Sequence, residues 1–243
     1  MDYPVRTIVS DVLVIGCSSA ALIAALEARK SGLHVMVVTN IAAGLGKNYE
    51  IMNVYFKLHA ACRHVHPALD AIEAIMARHK VLTDNIKSIK VYTYSVANKL
   101  TGQLRKVDNA LGAKFSLPVS IGLMLRYGRA GVDEYDMALI NDKTVQQMAD
   151  KVEIIIESER DAIYPKQRGA WVSINTTGGI FSEDVPIPKG DPENPCSDDE
   201  LKEKFLLNAR KTISKRNASE LCDRIFDLDN NSVRELTSCM AAK

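Results

Sequence analysis

The sequence is poor in the features that mark several classes of protein. Its five cysteines are scattered through 243 residues without a C-x-x-C pair, which disfavours a disulfide framework and favours a reducing compartment. Lys and Arg number 31 against 30 acidic residues, so no charge excess suits nucleic acid. No apolar run reaches the length of a membrane-spanning helix. We therefore expect a cytoplasmic globular protein that binds neither nucleic acid nor a membrane.

Residues 11–39 carry the pattern of a single βαβ unit. The short apolar run at 11–15 is typical of a buried parallel strand. Residues 20–30 are rich in Ala, Leu, Glu and Lys, which favour a helix, and Gly32 is placed to end it. A second apolar run, at 34–38, completes the unit with another strand.

The turn after the first of these strands resembles part of a dinucleotide site. The segments DVLVIG, AALIAALEA and HVMVVT resemble the opening of the flavoproteins related to fumarate reductase and succinate dehydrogenase. Gly16 supplies the first glycine of G-x-G-x-x-G, but Ser18 and Ala21 replace the other two. We favour an incomplete βαβ segment that packs as structure. The alternative is an FAD-dependent oxidoreductase with weak cofactor contacts at these three residues.

The rest of the chain predicts an α+β fold, in which a layer of helices and strands is followed by a helical tail. Alternation of Ile89, Val91 and Thr93 indicates one face of a strand, and residues 176–179 are a hairpin signal. Helices are further predicted at 67–79, within 117–125 and at 145–152, and strands at 152–157, 170–175 and 180–185.

Two capping patterns mark helices in the tail. Ser197 and Glu200 form an S-x-x-E capping box, and Asn217 and Glu220 repeat the pattern. A last short helix is expected from residue 231.

The densest polar segment is 55–67, which holds three of the five histidines with a cysteine, a lysine and an arginine. One interpretation is a metal site, although the ligand spacing fits no standard zinc pattern. A second is a site that binds anions through Lys57 and Arg63 and moves a proton through a histidine. The third, which the residues alone favour, is a polar loop before a helix. The residues with metal-ligand chemistry are His59, Cys62, His64 and His66.

This segment resembles the lysine-to-histidine motif of the MmgE/PrpD family, YxKxxxxCRHxHPxxD. Three further segments resemble that family in the same order. Residues 84–92 match a strand entry, 113–118 match the AKFSLPY segment, and 188–205 match KGDPxNPLSxxELxxKF. The motif residues in this chain are Tyr55, Lys57, Cys62, Arg63, His64, His66, Pro67 and Asp70.

The resemblance implies an MmgE/PrpD-like lid domain at residues 45–243, whose helices at about 198–240 return to a large helical domain. The family includes 2-methylcitrate dehydratase, cis-aconitate decarboxylase and iminodisuccinate epimerase. Its members act on small polycarboxylates without a metal or organic cofactor, and many are homodimers. The implied reaction is dehydration, decarboxylation or epimerisation by proton abstraction next to a carboxylate.

The same resemblance implies roles for individual residues. Lys57 would hold a substrate carboxylate, and His64 or His66 would move the proton. Arg63 would anchor charge or only brace the loop, and for Lys114 and Ser116 a helix entry is an equal alternative. The candidates for substrate binding are Arg63, Cys62, Lys114 and Ser116.

Two departures from the family pattern bear on activity. Val119 stands where many members carry a tyrosine. Residues 1–44 read as the separate βαβ segment, and the N-terminal helical half has no counterpart before Asn48. We therefore expect a homo-oligomer, or a separate chain that carries that half. The alternative to an enzyme is a non-catalytic truncated or fused fragment, or a partner subunit of a two-chain enzyme.

Overall fold

The computed structural model describes residues 10–15, 19–38 and 50–240. The backbone divides into two compact units, Met1–Asn53 and Val54–Lys243. The boundary expected between residues 44 and 45 falls outside the described ranges. Each unit is described by itself.

The first unit contains the predicted βαβ arrangement. Strand β1 (Val12–Ile15), helix α1 (Ser19–Lys30) and strand β2 (Val35–Val38) follow one another, and the two strands pair in parallel. Gly32 follows α1 with a φ of 83°, a left-handed conformation that glycine adopts at little cost. The prediction that this glycine ends the helix is confirmed.

The candidate nucleotide contacts lie mostly beyond what the structure describes. Gly16 and Ser18 of the glycine turn are outside the described residues, and Ala21 belongs to α1. A nucleotide contact at this turn therefore stays a prediction.

The second unit combines helices with one mixed sheet and is α+β, as the sequence predicts. Four of its helices were not predicted and are only three to six residues long. In chain order its elements are α2 (His66–Arg78), β3 (Ile86–Thr93), α3 (Ser95–Ala97), α4 (Ala110–Lys114), α5 (Leu117–Tyr127), α6 (Met137–Ile140), α7 (Lys143–Asp150), β4 (Val152–Ile156), α8 (Ser158–Ile163), β5 (Ala170–Thr176), β6 (Gly179–Val185), α9 (Asp198–Ala209), α10 (Lys215–Phe226) and α11 (Val233–Ser238).

The sheet has the order β4-β3-β5-β6. Strand β3 runs parallel to β4 and antiparallel to β5, and β5 and β6 form the predicted hairpin. Within the hairpin turn, the Thr176 hydroxyl donates to the Gly179 carbonyl (2.9 Å) and accepts from the Gly178 amide (3.1 Å). The carboxyl ends of β3 and β4 and the start of β5 therefore meet at one edge, which carries the candidate site.

The main core lies on one face of this sheet. Ile89, Val91 and Thr93 are buried there, as their alternation predicts. Helix α2 packs on β5 and β6, and α5 packs against α2 and α7. On the opposite face, the rings of Tyr92 and Trp171 lie 4.5 Å apart and are partly exposed.

The tail helices α9, α10 and α11 form a small core of their own around Ile213, Ala218, Leu221 and Cys239. The capping box predicted at Ser197 is present at the start of α9. The cap predicted for α10 at Asn217 is wrong, because Ser214 caps this helix and accepts a hydrogen bond from the Asn217 amide at 3.1 Å. Among the described residues, no helix is both long and apolar enough to span a bilayer.

Candidate functional site

The polar motif lies in a 3₁₀ turn, Arg63–Val65, that leads directly into α2. The turn is fixed by a hydrogen bond from the Cys62 amide to the Lys114 carbonyl (2.9 Å). Pro67 occupies the first turn of α2, where its missing N–H leaves no helical hydrogen bond unmade. The tight turn gives neighbouring side chains different surroundings, so the motif divides into two groups.

The first group of motif residues holds the loop at 188–191 in place. Arg63 is buried and donates to the carbonyls of Lys189 (2.9 Å) and Pro188 (3.1 Å), and it pairs with the Asp191 carboxylate at 2.8 Å. Its guanidinium also lies over the Tyr55 ring, 4.7 Å from the centroid. These contacts favour the bracing role among the two considered for Arg63, since protein groups bind both of its terminal nitrogens and leave only the buried Nε without a partner.

His66 belongs to the same bracing group. It is fully buried, and its Nδ1 accepts a hydrogen bond from Arg63 at 3.2 Å. Burial, followed by the nearby His59 and Arg63, lowers the pKa of His66 to about 2, so its imidazole is neutral across the physiological range. A proton-transfer role for His66 stays a prediction that this environment does not favour.

Asp70 also helps to hold the loop at 188–191 in place. One carboxylate oxygen pairs with Nε2 of His59 at 2.8 Å, and the other accepts from the Lys189 amide at 2.7 Å. The last motif position therefore fixes the same loop as Arg63. His59, Asp70 and Glu73 bring ligand atoms within 4.8 Å of one another, and they are the described residues that could hold a cation. This set differs from the four ligand-type residues in the sequence, because the turn directs His64 elsewhere.

His64 is the centre of the second group. It is half-buried, and its Nδ1 is hydrogen-bonded to the hydroxyl of Tyr94. The Tyr94 ring in turn stacks on Tyr164 with centroids 4.8 Å apart. Tyr94 is fully buried and burial raises its pKa, so it remains a phenol that can donate to His64. The pair of tyrosines therefore fixes the orientation of this imidazole.

Two cationic side chains act on His64. Burial lowers its pKa first, and the charges of Arg168 and Lys57 lower it further. A lowered pKa keeps the imidazole neutral near pH 7, which is the form that accepts a proton. Lys57 is exposed and Arg168 is half-buried. We call His64, Tyr94, Tyr164, Lys57 and Arg168 the His64 site.

The sequence motif contains Lys57 and His64 but not the other three members of the site. Tyr94 follows the end of β3, Tyr164 follows α8, and Arg168 precedes β5. These positions are far from the motif in sequence and carry no recognisable pattern. The sheet brings the end of β3, next to Tyr94, beside the start of β5, next to Arg168, and Tyr164 joins them by stacking on Tyr94.

The remaining candidate residues have contacts that favour structural roles. Ser116 is buried at the start of α5, where its hydroxyl accepts from the Val119 amide (3.1 Å) and donates to the Leu104 carbonyl. The Lys114 ammonium lies 5.9 Å from the centroid of the Tyr135 ring. Val119, where many family members carry a tyrosine, is fully buried in the main core. Helix entry therefore accounts for Ser116, and substrate contact by Lys114 or Cys62 stays a prediction.

A cavity of about 480 Å³ lies on the other side of the motif, beside α2 and α9. Its lining mixes both signs of charge, with His59, Glu73, Lys204 and Lys211 among the contributors. Burial, and then the neighbouring acidic side chains, raise the pKa of Glu73 despite the opposing effect of His59. No sequence pattern indicates this cavity, because α9 comes from a distant part of the chain.

Comparison with known proteins gives the family. A profile of the MmgE/PrpD C-terminal domain matches residues 59–228, and the chain therefore belongs to the MmgE/PrpD family. A cis-aconitate decarboxylase-like protein, oryM of Aspergillus oryzae, is 24% identical over 214 residues. That match covers 84% of this chain and 44% of the relative, so the chain spans less than half of the relative's length.

Proposed function

We propose that this chain contributes the His64 site to an MmgE/PrpD lyase or isomerase that acts on a small polycarboxylate. The observation that carries the proposal is a half-buried histidine that is hydrogen-bonded to a tyrosine and acted on by the charges of Arg168 and Lys57. A neutral imidazole can take a proton from the carbon next to a carboxylate, and cations beside it stabilise the negative charge that develops.

Proton transfer at a carbon next to a carboxylate serves three outcomes, and removal of the proton is the first step in two of them. Loss of a β-hydroxyl gives dehydration, and return of the proton to the opposite face gives epimerisation. In decarboxylation the carbanion left by carbon dioxide takes a proton instead, which a protonated His64 would deliver. The name of the relative oryM favours decarboxylation among these outcomes.

In this proposal Lys57 binds a substrate carboxylate and Tyr94 positions His64. Lys57 is exposed, and no carboxylate among the described residues pairs with it, so its ammonium is free for a ligand. Arg63 holds the loop at 188–191 and His66 is hydrogen-bonded to Arg63, so the proposal gives both residues a structural role.

A second candidate function is binding without turnover, as a partner subunit or a non-catalytic fragment. It is favoured by Val119, which is buried in the main core and lacks the hydroxyl group of the tyrosine that many family members carry there. A second copy of the chain, or a separate chain, would then supply further groups.

The test is turnover of 2-methylcitrate, citrate and cis-aconitate by the purified protein, followed by absorbance of the unsaturated acid. We expect turnover that falls at least about a hundredfold in Lys57→Ala and His64→Gln. Lys80→Ala and His79→Gln are matched controls, since both residues are exposed beyond the far end of α2. A well-folded protein without turnover of any of these acids would contradict the enzyme and leave the second candidate.

A further inference from the structure

Arg168 lies at the His64 site because of the sheet. The Thr93 hydroxyl donates to the carbonyl of Gly169 at 3.3 Å, which fixes the backbone next to Arg168 against the end of β3. Tyr94 comes immediately after Thr93 and carries the hydroxyl that bonds to His64. The Arg168 side chain consequently exerts the largest charge effect on both His64 and Tyr94.

Arg168 differs from the other arginines close to it. Arg160 is bound by the carboxylates of Glu157 (2.6 Å) and Asp184 (2.7 Å), and Arg63 is bound by Asp191. Within the described part of the chain, no carboxylate lies within ion-pair distance of Arg168. A half-buried guanidinium without a counter-ion is unfavourable, and a bound anion would relieve that cost.

Two cations that form no ion pair with a described carboxylate therefore act on one imidazole. Both charges act on His64, so a ligand that carries negative charge at both positions would be favoured at this site. A guanidinium binds a carboxylate through two parallel hydrogen bonds, whereas an ammonium acts as a point charge. A ligand with a single carboxylate would pair with only one of these two cations.

We propose that Arg168 and Lys57 each bind one carboxylate of the same substrate, so that the substrate lies across His64 and the site selects di- and tricarboxylates over monocarboxylates. This inference rests on the location of the proposed active site but not on its chemistry. Arg168 thereby acts as a specificity-determining residue, which the motif does not contain.

The experiment measures binding of tricarballylate, a tricarboxylate with neither a hydroxyl group nor a double bond, by calorimetry at low salt and pH 7.5. Propionate provides the monocarboxylate comparison. We expect wild-type protein to bind tricarballylate at least about tenfold more tightly than propionate. Arg168→Gln should lose roughly tenfold in tricarballylate affinity. The tricarballylate affinity of Arg168→Lys should lie between those of wild type and Arg168→Gln, because lysine keeps the charge but lacks the planar guanidinium.

Arg216→Gln is the matched control, since Arg216 is exposed on α10 and its loss changes the net charge equally. It should leave both affinities unchanged, and circular dichroism should show every variant folded. Wild-type protein that fails to prefer tricarballylate, or an Arg168→Gln variant that binds it as wild type does, would overturn the proposal. Tight, Arg168-dependent binding without turnover of any polycarboxylate would contradict the proposed reaction alone.

Discussion

His64 and His66 are two residues apart, yet the fold gives them different chemistry. His64 is half-buried and faces Tyr94 and two cations, whereas His66 is fully buried beside Arg63. Both imidazoles have lowered pKa values, but only His64 combines a neutral form with partial exposure. The difference supports His64 rather than His66 for the proposed proton transfer, and it is consistent with a structural role for His66.

His66 predicts an acid sensitivity of the fold. Its pKa is about 2 in the folded state, whereas an unfolded histidine titrates near its ordinary value of 6.5. Below that value the unfolded state binds a proton that the folded state does not, so the free energy of unfolding falls as the pH falls. The loss is up to about 1.4 kcal/mol per pH unit. Urea unfolding at pH 7.5 and at pH 5.5 measures this decrease in the free energy of unfolding.

His66→Gln should reduce this pH dependence, because glutamine does not titrate. The baseline stability of the variant is expected to be lower, since the contact with Arg63 changes, but the readout is the slope with pH. His79→Gln removes an exposed histidine and should keep the wild-type slope. Equal slopes in His66→Gln and wild type would show that another group causes the acid sensitivity.

Tyr94→Phe tests the orientation of His64. The substitution keeps the buried ring but removes the hydroxyl bonded to Nδ1, which should cost about 1 kcal/mol of stability. We expect kcat to fall roughly tenfold with little change in KM, because Tyr94 positions the imidazole without binding substrate. Tyr127→Phe, which removes a hydroxyl 3.4 Å from Asp142, is the control. An unchanged kcat in Tyr94→Phe would contradict the positioning role.

The residues of the motif could be predicted from the sequence. Which of them have structural roles and which belong to the proposed active site could not. Lys57 and His64 belong to a recognisable pattern, and so does His66. Which histidine is buried depends on packing between α2 and the loop at 188–191, and sequence spacing does not report that packing. Arg168 has no pattern around it, since its position follows from strand pairing alone.

Close packing between α5 and α7 decides the layout of the helical layer. Gly122 of α5 faces the backbone of Val145, and a Cβ built at Gly122 would lie 2.4 Å from the Val145 carbonyl oxygen. Gly122→Ala should therefore destabilise the protein by about 1–3 kcal/mol through overpacking. Gly112→Ala is the control, because its nearest contact would be an ordinary 3.5 Å.

The control should be neutral or stabilising by up to about 1 kcal/mol, since alanine favours helices over glycine. Denaturant midpoints of the two variants give the comparison. Equal effects of the two substitutions would mean that α5 and α7 are not in close contact.

Elements with a strong local signal could be predicted, whereas the others could not. The hairpin at 176–179 and the capping box at Ser197 rest on contacts within a few residues, and both are present. The start of α10 was misplaced because Ser214 and Asn217 are both good caps, and tertiary packing chooses between them. Short helices such as α6 and α8 are below the length at which an apolar period can be recognised.

The second unit contains two cores of unequal size. The main core fills the space between the sheet and α2, α5 and α7, and the tail core holds α9 to α11 together. Ion pairs join the tail to other parts of the unit, for example Lys189 with Glu200 at 3.1 Å. Exposed ion pairs contribute little, so we expect the tail to unfold more easily than the sheet.

Leu221→Ala tests this independence. Leu221 is buried in the tail core, and its truncation should cost the tail about 2–3 kcal/mol. Hydrogen exchange should accelerate in α10 and α11 while amides of β3 and β5 keep their protection. Ile225→Ala, on the exposed side of the same helix, should leave hydrogen exchange unchanged in both the tail helices and the sheet. Equal acceleration in the sheet would show a single cooperative unit.

The proton transfer assigned to His64 is tested most directly by exchange with heavy water. Wild-type protein incubated with citrate, 2-methylcitrate or cis-aconitate in D₂O should introduce deuterium at a carbon next to a carboxylate, which proton NMR detects even when no product accumulates. We expect exchange that His64→Gln abolishes and His79→Gln preserves. Exchange that persists in His64→Gln, or its absence from wild-type protein with every acid, would contradict the assignment of His64 as the group that moves the proton.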